Sequence, residues 1–194
     1  MSESFTVVIT GDSGTGKTSL LYRIKTKTFV ENHKVTVAGE LVTHEVNVEG
    51  KKISISFWDT TGTEDYESMN KCHYFDAQGV IYFYSVDNSD SLDRISSHWK
   101  AIVEESSKVP HLNFLVGNKI DLNPSEVVVS PQTEDPIAES IGSKVYHTSA
   151  LNGTGVFEFV EDLAKILNAE FGTKTETPSP IETKESQNCK CEIQ

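Results

Sequence analysis

The chain has 194 residues, long enough for one α/β domain with a buried core and too short for two full domains, so we expect one domain and a tail. Hydrophobic residues make up 37% of it, charged residues 24% and aromatic residues 9%, and no apolar run approaches the roughly 20 residues of a membrane-spanning helix. The formal net charge of −12 repels nucleic acid and anionic lipid, and the sequence shows no basic patch to offset it, which argues against a nucleic-acid partner.

The first residues of the chain and its cysteines indicate where in the cell the protein is expected to reside. Met1 to Phe5 lead directly into an apolar strand-like run, without the basic and apolar segments of a secretory signal, so we expect the protein to remain in the cytosol. Three cysteines do not make a disulfide framework, and two of them lie among the last six residues, where an address tag is the better interpretation.

Five apolar runs have strand character and are separated by segments of helix length. They are "FTVVI" (5–9), "ISISFW" (53–58), "GVIYFYSV" (79–86), "HLNFLVG" (111–117) and "KVYHTS" (144–149). This alternation predicts a largely parallel sheet flanked by helices, an α/β fold. Strand-like flanks around Glu49 and Gly50 predict a hairpin and one antiparallel edge strand, so the sheet should be mixed.

Two segments, residues 91–103 and 156–171, carry apolar side chains at helical spacing and are expected to be helices packed on the sheet. After Gly172 the sequence becomes polar and proline-containing, without a large apolar face, which predicts a disordered tether. The expected division is a globular domain over residues 1–171 and a tail over residues 172–194.

The segment "GDSGTGKTS" (11–19) follows the first strand and precedes a helix, with two glycines separated by four residues and then Lys and Thr. The glycines allow successive backbone N–H groups to point inward around anionic phosphates, and the helix start adds a positive dipole. Lys17 adds a point charge, and the Thr18 hydroxyl suits Mg²⁺, which prefers oxygen ligands. The alternative is a plain glycine turn before a helix.

Two later segments predict which base is bound. In "GNKID" (117–121), Asp121 can accept two hydrogen bonds from guanine that adenine cannot donate, Asn118 can reach the other edge of the base, and the Lys119 stem can cover the ring. Alone, the segment is equally compatible with a Lys and an Asp that cap a strand end. "TSAL" (148–151) ends the next strand, and its backbone could contact guanine O6.

The segments "GDSGTGKTSL", "WDTTGTEDY", "GNKID" and "TSAL", in this order and at these separations, resemble a Ras-superfamily small GTPase over residues 5–171. The first segment, the overall spacing and the cysteines at the end resemble the Rab branch most. Two segments depart from the Rab pattern, "VAGEL" (37–41) and "EDYES" (64–68), which bears on the partners. The resemblance implies a P-loop G domain with a six-stranded, mixed and mostly parallel sheet flanked by helices, working as a GTP/GDP switch.

The resemblance also assigns roles to single residues. It places Phe29 against the guanine, Thr36 over Mg²⁺ and the γ-phosphate, Asp59 on Mg²⁺ through water, and the Gly62 N–H on the γ-phosphate. The nucleotide-binding set expected for GTP or GDP is Ser13, Gly14, Thr15, Gly16, Lys17, Thr18, Ser19, Phe29, Thr36, Gly62, Asn118, Lys119, Asp121, Ser149, Ala150 and Leu151. The expected metal ligands are Thr18, Thr36 and Asp59, and the expected catalytic set is Lys17, Thr36, Gly62 and Thr63.

Thr63 stands where the family has the glutamine that orients the attacking water. Its side chain is about two bonds shorter, so intrinsic hydrolysis should be slower than in relatives with glutamine. Thr61 replaces a small alanine beside the γ-phosphate.

Three functions compete. The first is a slow cycling switch whose activators supply the missing groups, and the second is a GTP-binding scaffold or sensor without significant hydrolysis. The third is a nucleotide kinase, which would need an acceptor site and an arginine-rich lid, and the sequence offers neither.

The last six residues, "CKCEIQ", place Cys191 fourth from the end, as in a prenylation box, and Cys189 could carry a second lipid. The alternative is a pair of unmodified cysteines.

The resemblance implies a monomer on the cytoplasmic face of intracellular membranes, exchanging with the cytosol and acting in vesicle trafficking. The implied partners are a guanine nucleotide exchange factor, a GTPase-activating protein, effectors, a prenyltransferase and a lipid-binding chaperone.

Overall fold

The computed structural model describes residues 3–30, 39–62 and 71–173. Four residues of the predicted sites, Thr36, Thr63, Cys189 and Cys191, lie outside the described residues, as does the predicted tether from residue 174 onward.

Six strands make up the sheet: β1 Glu3–Thr10, β2 Glu40–Val48, β3 Lys51–Asp59, β4 Gly79–Ser85, β5 Leu112–Asn118 and β6 Val145–His147. Five α-helices surround it in the described part of the chain: α1 Lys17–Thr26, α2 Ser89–Arg94, α3 Lys100–Ser106, α4 Pro131–Ile141 and α5 Val156–Phe171. A 3₁₀ turn spans Lys71–Tyr74, and one turn of π-helix, Ile95–Trp99, joins α2 to α3.

The strand order is β2-β3-β1-β4-β5-β6, and the pairing of β2 with β3 is antiparallel while the other four pairings are parallel. Glu49 and Gly50 connect β2 to β3 with positive φ angles of 51° and 81°, as in the tight turns whose twist matches two paired strands. The predicted hairpin, the mixed sheet and the α/β fold class are therefore confirmed.

Two hydrophobic layers cover the two faces of the sheet. One lies under α1 and α5 and the other under α2, α3, α4 and the π turn. The central strand β4, GVIYFYS, is buried at every position, as expected for a parallel strand covered on both sides. Because the parallel strands run the same way, their carboxyl ends and the loops that follow them meet at one edge.

Helix α4 was not predicted from the sequence, because it contains two prolines. Pro131 occupies the start of the helix, where its missing N–H costs little, and Ser130 and Thr133 form a capping box. Pro136 lies in the interior and removes one backbone hydrogen bond. Burial of Ile137 and Ile141 against the sheet outweighs this local penalty.

Two predicted elements differ from the structure. The helix expected over residues 91–103 is instead α2, a π turn and α3 in succession. The strand expected over residues 144–149 ends at His147, because the backbone N–H groups of Ser149 and Ala150 bind the Thr154 carbonyl and the Asn118 side chain rather than a strand. Within the described residues, no helix is both long and apolar enough to cross a membrane.

Candidate nucleotide site

The loop between β1 and α1 is held close to its neighbours by glycines. Gly11 has φ 143°, and a Cβ there would overlap the backbone carbonyl of Phe83 in β4. Gly16 has φ 98°, and a Cβ there would overlap the side-chain amide of Asn118. Both positions therefore require glycine for backbone conformation and for space. The loop that the sequence predicts as a phosphate cradle is packed against β4 and against the end of β5.

Lys17, the first residue of α1, is buried, with an exposed fraction of 6%. Its Nζ donates to the carbonyl oxygens of Gly11 at 2.7 Å and of Asp12 at 2.8 Å. Burial lowers the pKa of Lys17 to about 8, and the nearby carboxylates of Asp59 and Asp12 oppose this shift. The ammonium group is thus desolvated inside the loop, where an anionic phosphate would restore a favourable partner.

Thr18 and Asp59 come together behind this loop. The Thr18 hydroxyl donates to Asp59 Oδ2 at 2.6 Å, and Asp59, at the end of β3, is 2% exposed. One hydroxyl and one carboxylate side by side are hard oxygen donors that fit Mg²⁺, which usually takes one or two protein carboxylates and completes its shell with phosphates and water. In the described ranges no group of three or more His, Cys, Asp or Glu could hold a metal by itself.

The segment after β3 lies directly on the phosphate loop. Thr60 donates its hydroxyl to the Ile9 carbonyl at 2.6 Å, and Thr61 is buried, with 1% exposed. The Gly62 carbonyl accepts the Ser13 N–H at 3.0 Å, and a Cβ on Gly62 would overlap that nitrogen and lie 2.6 Å from Lys17 Nζ. In this structure the carbonyl of Gly62 binds the loop, and the contact expected between its N–H and the γ-phosphate stays a prediction.

A cavity of about 260 Å³ lies beside the phosphate loop. Ligand sites usually measure roughly 300–1,000 Å³, so this cavity suits a base rather than a whole nucleotide. Among the described residues, those that line it all belong to the nucleotide-binding set expected from the sequence: Gly14, Gly16, Ser19, Phe29, Asn118, Lys119, Asp121, Ala150 and Leu151.

Asn118 connects three segments of this site. Its Nδ2 donates to the Thr15 carbonyl at 2.9 Å, and its Oδ1 accepts the Ala150 N–H at 3.0 Å. Sequence reasoning placed Asn118 at an edge of the base, whereas here its buried amide links the phosphate loop to the segment after β6. This role of Asn118 in linking the two segments depends on Thr15 and Ala150, which are distant in the sequence, so no local pattern predicted it.

Lys119 and Asp121 are both oriented by polar neighbours. Lys119 has a positive φ of 69°, and its ammonium lies 3.2 Å from the Asp87 carboxylate. Partial burial raises the pKa of Asp87, but hydrogen bonds from Ser85 and Lys119 outweigh it and hold that pKa below its usual value. Asp121 Oδ1 accepts the Ser149 hydroxyl, so the predicted base-reading carboxylate is tied to the "TSAL" segment.

Arg23 is a site residue that sequence reasoning missed. From α1 its Nε donates to the Ala150 carbonyl at 2.8 Å and its Nη1 to the Lys27 carbonyl at 2.9 Å. Its Nη2 donates to the Leu151 carbonyl. The guanidinium therefore joins the end of α1, two residues before Phe29, to the opposite wall of the cavity. Arg23 belongs to none of the sequence motifs, so the sequence did not predict this contact.

The phosphate loop, the Thr18–Asp59 pair, the Gly62 segment and the base cavity all lie at the carboxyl edge of one sheet, although their residues span most of the chain. A model of the Ras family matches residues 6–169, which include all of them. The chain belongs to the Ras family. Within the superfamily, this small GTPase is most like the Rab proteins.

Three relatives illustrate the similarity. The chain is 36% identical to the Ras-related protein Rab-21 of Mus musculus over 162 residues, which are 84% of this chain and 72% of that protein. It is 33% identical to the Ras-related protein Rab-1D of Dictyostelium discoideum over 178 residues, 92% of this chain and 86% of the relative. It is 34% identical to the Ypt/Rab-type GTPase YPT7 of Saccharomyces cerevisiae over 167 residues, 82% of this chain and 79% of the relative.

Family membership confirms the resemblance and the G-domain fold expected from the four motifs. Ras-family proteins are GTPases that bind GTP or GDP with Mg²⁺, and Rab proteins act with exchange factors, activators and effectors at intracellular membranes. The roles of single residues in this Rab-like small GTPase remain predictions.

Proposed function

We propose that this protein is a Rab-like GTP/GDP switch that acts in membrane trafficking and hydrolyses GTP slowly. The observation that carries the proposal is the continuity of the site: the glycine-bound loop around Lys17, the Thr18–Asp59 oxygen pair and the guanine-sized cavity share one edge of the sheet. Each part suits one part of a guanine nucleotide.

Binding would use each part as its chemistry allows. Backbone N–H groups of the loop would donate to the phosphates, and the Lys17 ammonium, held inside the loop by the carbonyls of Gly11 and Asp12, would add a positive charge. Asp121, oriented by Ser149, would accept the N1–H and N2–H₂ donors of guanine. A polar site of this kind rejects a base that leaves its carboxylate unpaired by factors of roughly 10⁴ or more.

Thr18, Asp59 and the predicted Thr36 are the residues that would hold Mg²⁺. When bound, the ion would neutralise negative charge on the phosphate oxygens. The Thr18–Asp59 contact orients both oxygens before any ion arrives, since the hydroxyl donates to the carboxylate. Burial of Asp59 in the sheet edge keeps that carboxylate in place.

Slow hydrolysis follows from the side chain at residue 63. Phosphoryl transfer of this type depends on orienting a water in line with the phosphate and on neutralising charge. A threonine hydroxyl does not reach as far as a glutamine amide. Relatives with glutamine hydrolyse GTP at about 10⁻⁴ per second without an activator, and a further loss of ten- to a hundredfold corresponds to roughly 1.4 to 2.7 kcal/mol of barrier.

A single-turnover assay tests this proposal. The protein is loaded with GTP and Mg²⁺, free nucleotide is removed, and conversion to GDP is followed for the wild type and for Thr63→Gln. We expect the glutamine variant to hydrolyse at least tenfold faster. Thr43→Gln, at an exposed threonine of β2, is the matched control and should behave as the wild type. Equal rates for all three proteins, at the family's basal value, would refute the role assigned to residue 63.

The second candidate is a GTP-binding scaffold or sensor without significant hydrolysis. It is favoured by the same missing glutamine and by the Gly62 carbonyl lying against the Ser13 N–H. The two candidates separate in the same assay: the scaffold retains GTP over many hours in the wild type, whereas the switch converts it slowly. Failure to bind GTP at all would refute both.

A further inference from the structure

The carboxylate of Asp12, the second residue of the phosphate loop, points away from the loop toward the helices on one face of the sheet. Asp12 Oδ1 accepts the Arg94 Nε–H at 3.0 Å and the Trp99 Nε1–H at 2.7 Å. Trp99 is fully buried, whereas the Arg94 side chain is 35% exposed and that of Asp12 is 19% exposed. One carboxylate oxygen thus anchors the loop to two residues more than 80 positions away in the sequence.

The π turn explains how both donors reach the same oxygen. Arg94 and Trp99 are five positions apart, and in an α-helix side chains three or four positions apart share a face while those five apart do not. Between them the backbone winds more widely, and the Lys100 N–H binds the Ile95 carbonyl, five residues earlier. This single wide turn directs both side chains toward Asp12.

The backbone of Asp12 in turn organises the phosphate loop. Its carbonyl accepts both the Lys17 ammonium and the Thr15 hydroxyl at 2.8 Å. The next residue, Ser13, donates its N–H to the Gly62 carbonyl. Fixing the Asp12 side chain therefore restrains Ser13, Thr15 and Lys17, the loop residues that the proposed function places on the phosphates.

We infer that Arg94 and Trp99 are positioning residues for the phosphate loop, and that the π turn exists in this helix to present both of them to Asp12. The inference rests on the proposed binding of GTP. It concerns the phosphate end of the nucleotide, because Asp12 connects to Lys17 and, through Ser13, to Gly62.

The test uses Arg94→Gln, since Trp99 is buried and its replacement would endanger folding. Release of fluorescent GDP and of a non-hydrolysable GTP analogue is measured for the full chain, together with thermal unfolding. We expect GTP-analogue release to accelerate about tenfold and GDP release by threefold or less, with discrimination between GDP and inosine diphosphate unchanged. Asp12→Asn should act in the same direction, because its amide oxygen is a weaker acceptor than a carboxylate for the arginine.

Lys100→Gln is the matched control, because Lys100 follows the same π turn but donates to the Ser140 carbonyl, away from the loop. It should leave release of both nucleotides unchanged. In the double variant of Asp12 and Arg94, the effect should be smaller than the product of the two single effects. The inference is overturned if Arg94→Gln matches the control, if it speeds both nucleotides equally, or if the double variant is multiplicative. Absence of nucleotide binding in the wild type would instead refute the proposed function.

Discussion

Asp121 shows at the residue scale how a neighbour prepares a carboxylate for its ligand. The Ser149 hydroxyl donates to Asp121 Oδ1, and Ser149 in turn accepts the Asn152 N–H at 3.1 Å. A carboxylate held in one orientation loses less conformational freedom on binding than a mobile one. The proposed pairing of Asp121 with guanine would therefore depend on a residue of the neighbouring loop as well as on the position of Asp121 itself.

Replacement of this carboxylate should change which base is bound. Asp121→Asn exchanges an acceptor for a donor, so it should weaken GTP binding by about a hundredfold or more and improve binding of xanthine nucleotides, whose 2-oxo group accepts. Competition against a fluorescent guanine nucleotide measures both effects. Asp135→Asn, on the exposed side of α4, is the matched control. An unchanged GTP affinity in the Asp121 variant would show that the base assignment is wrong.

At the scale of elements, contacts between α1 and the loop after β6 brace the wall of the base cavity. The Arg23 guanidinium makes three hydrogen bonds to backbone carbonyls, two of them on the Ala150–Leu151 wall and one at the end of α1. Planar guanidinium groups present several donors in fixed directions, which a lysine ammonium does not. This one side chain therefore links α1 directly to the loop after β6.

Arg23→Lys should therefore speed nucleotide release. We expect GDP to dissociate roughly tenfold faster, because charge-assisted hydrogen bonds that position the cavity wall are lost while the positive charge remains. Release of a fluorescent GDP after mixing with excess unlabelled GDP measures the rate. Lys25→Gln, on the same helix and paired with the exposed Glu40 at 3.6 Å, is the control. Similar release from both variants would contradict the bracing role.

For the whole molecule, charge and the predicted tail bear on membrane attachment. The formal net charge is −12, and from Thr173 onward the sequence has three lysines against four glutamates, so electrostatic attraction to anionic lipid is weak. A single lipid chain gives marginal and reversible anchoring. Stable attachment would then require lipids on both Cys189 and Cys191.

Cysteine variants of the full chain separate these possibilities. Cys191→Ser should move the protein from the membrane fraction to the cytosol, and Cys189→Ser should leave it exchanging readily between the two. Fractionation of expressing cells, with mass spectrometry of the tail, measures both. Cys72→Ser changes an exposed cysteine of the globular domain and is the control. Membrane attachment that persists in the Cys191 variant would show that the terminal segment is not the anchor.

The features that could be predicted from the sequence alone depend on residues close together along the chain. Short apolar runs predicted the strands, and Glu49 and Gly50 predicted the hairpin. The two glycines and the lysine of residues 11–19 predicted the loop after β1. The nine residues that line the cavity in the described part of the chain all belong to short segments or matched positions that the family resemblance supplies. Order and spacing of these segments were enough to indicate the fold and the kind of ligand.

Tertiary structure alone decided the contacts that hold those segments together. Helix α4 forms in spite of two prolines because burial of its apolar side outweighs local preference. The Asn118 brace, the Arg23 contacts to the Ala150–Leu151 wall and the link from Asp12 to Arg94 and Trp99 join residues between 32 and 128 positions apart. Such pairs leave no periodic or local trace in a sequence, because only the folded sheet brings their carbonyls, amides and carboxylates within hydrogen-bonding distance.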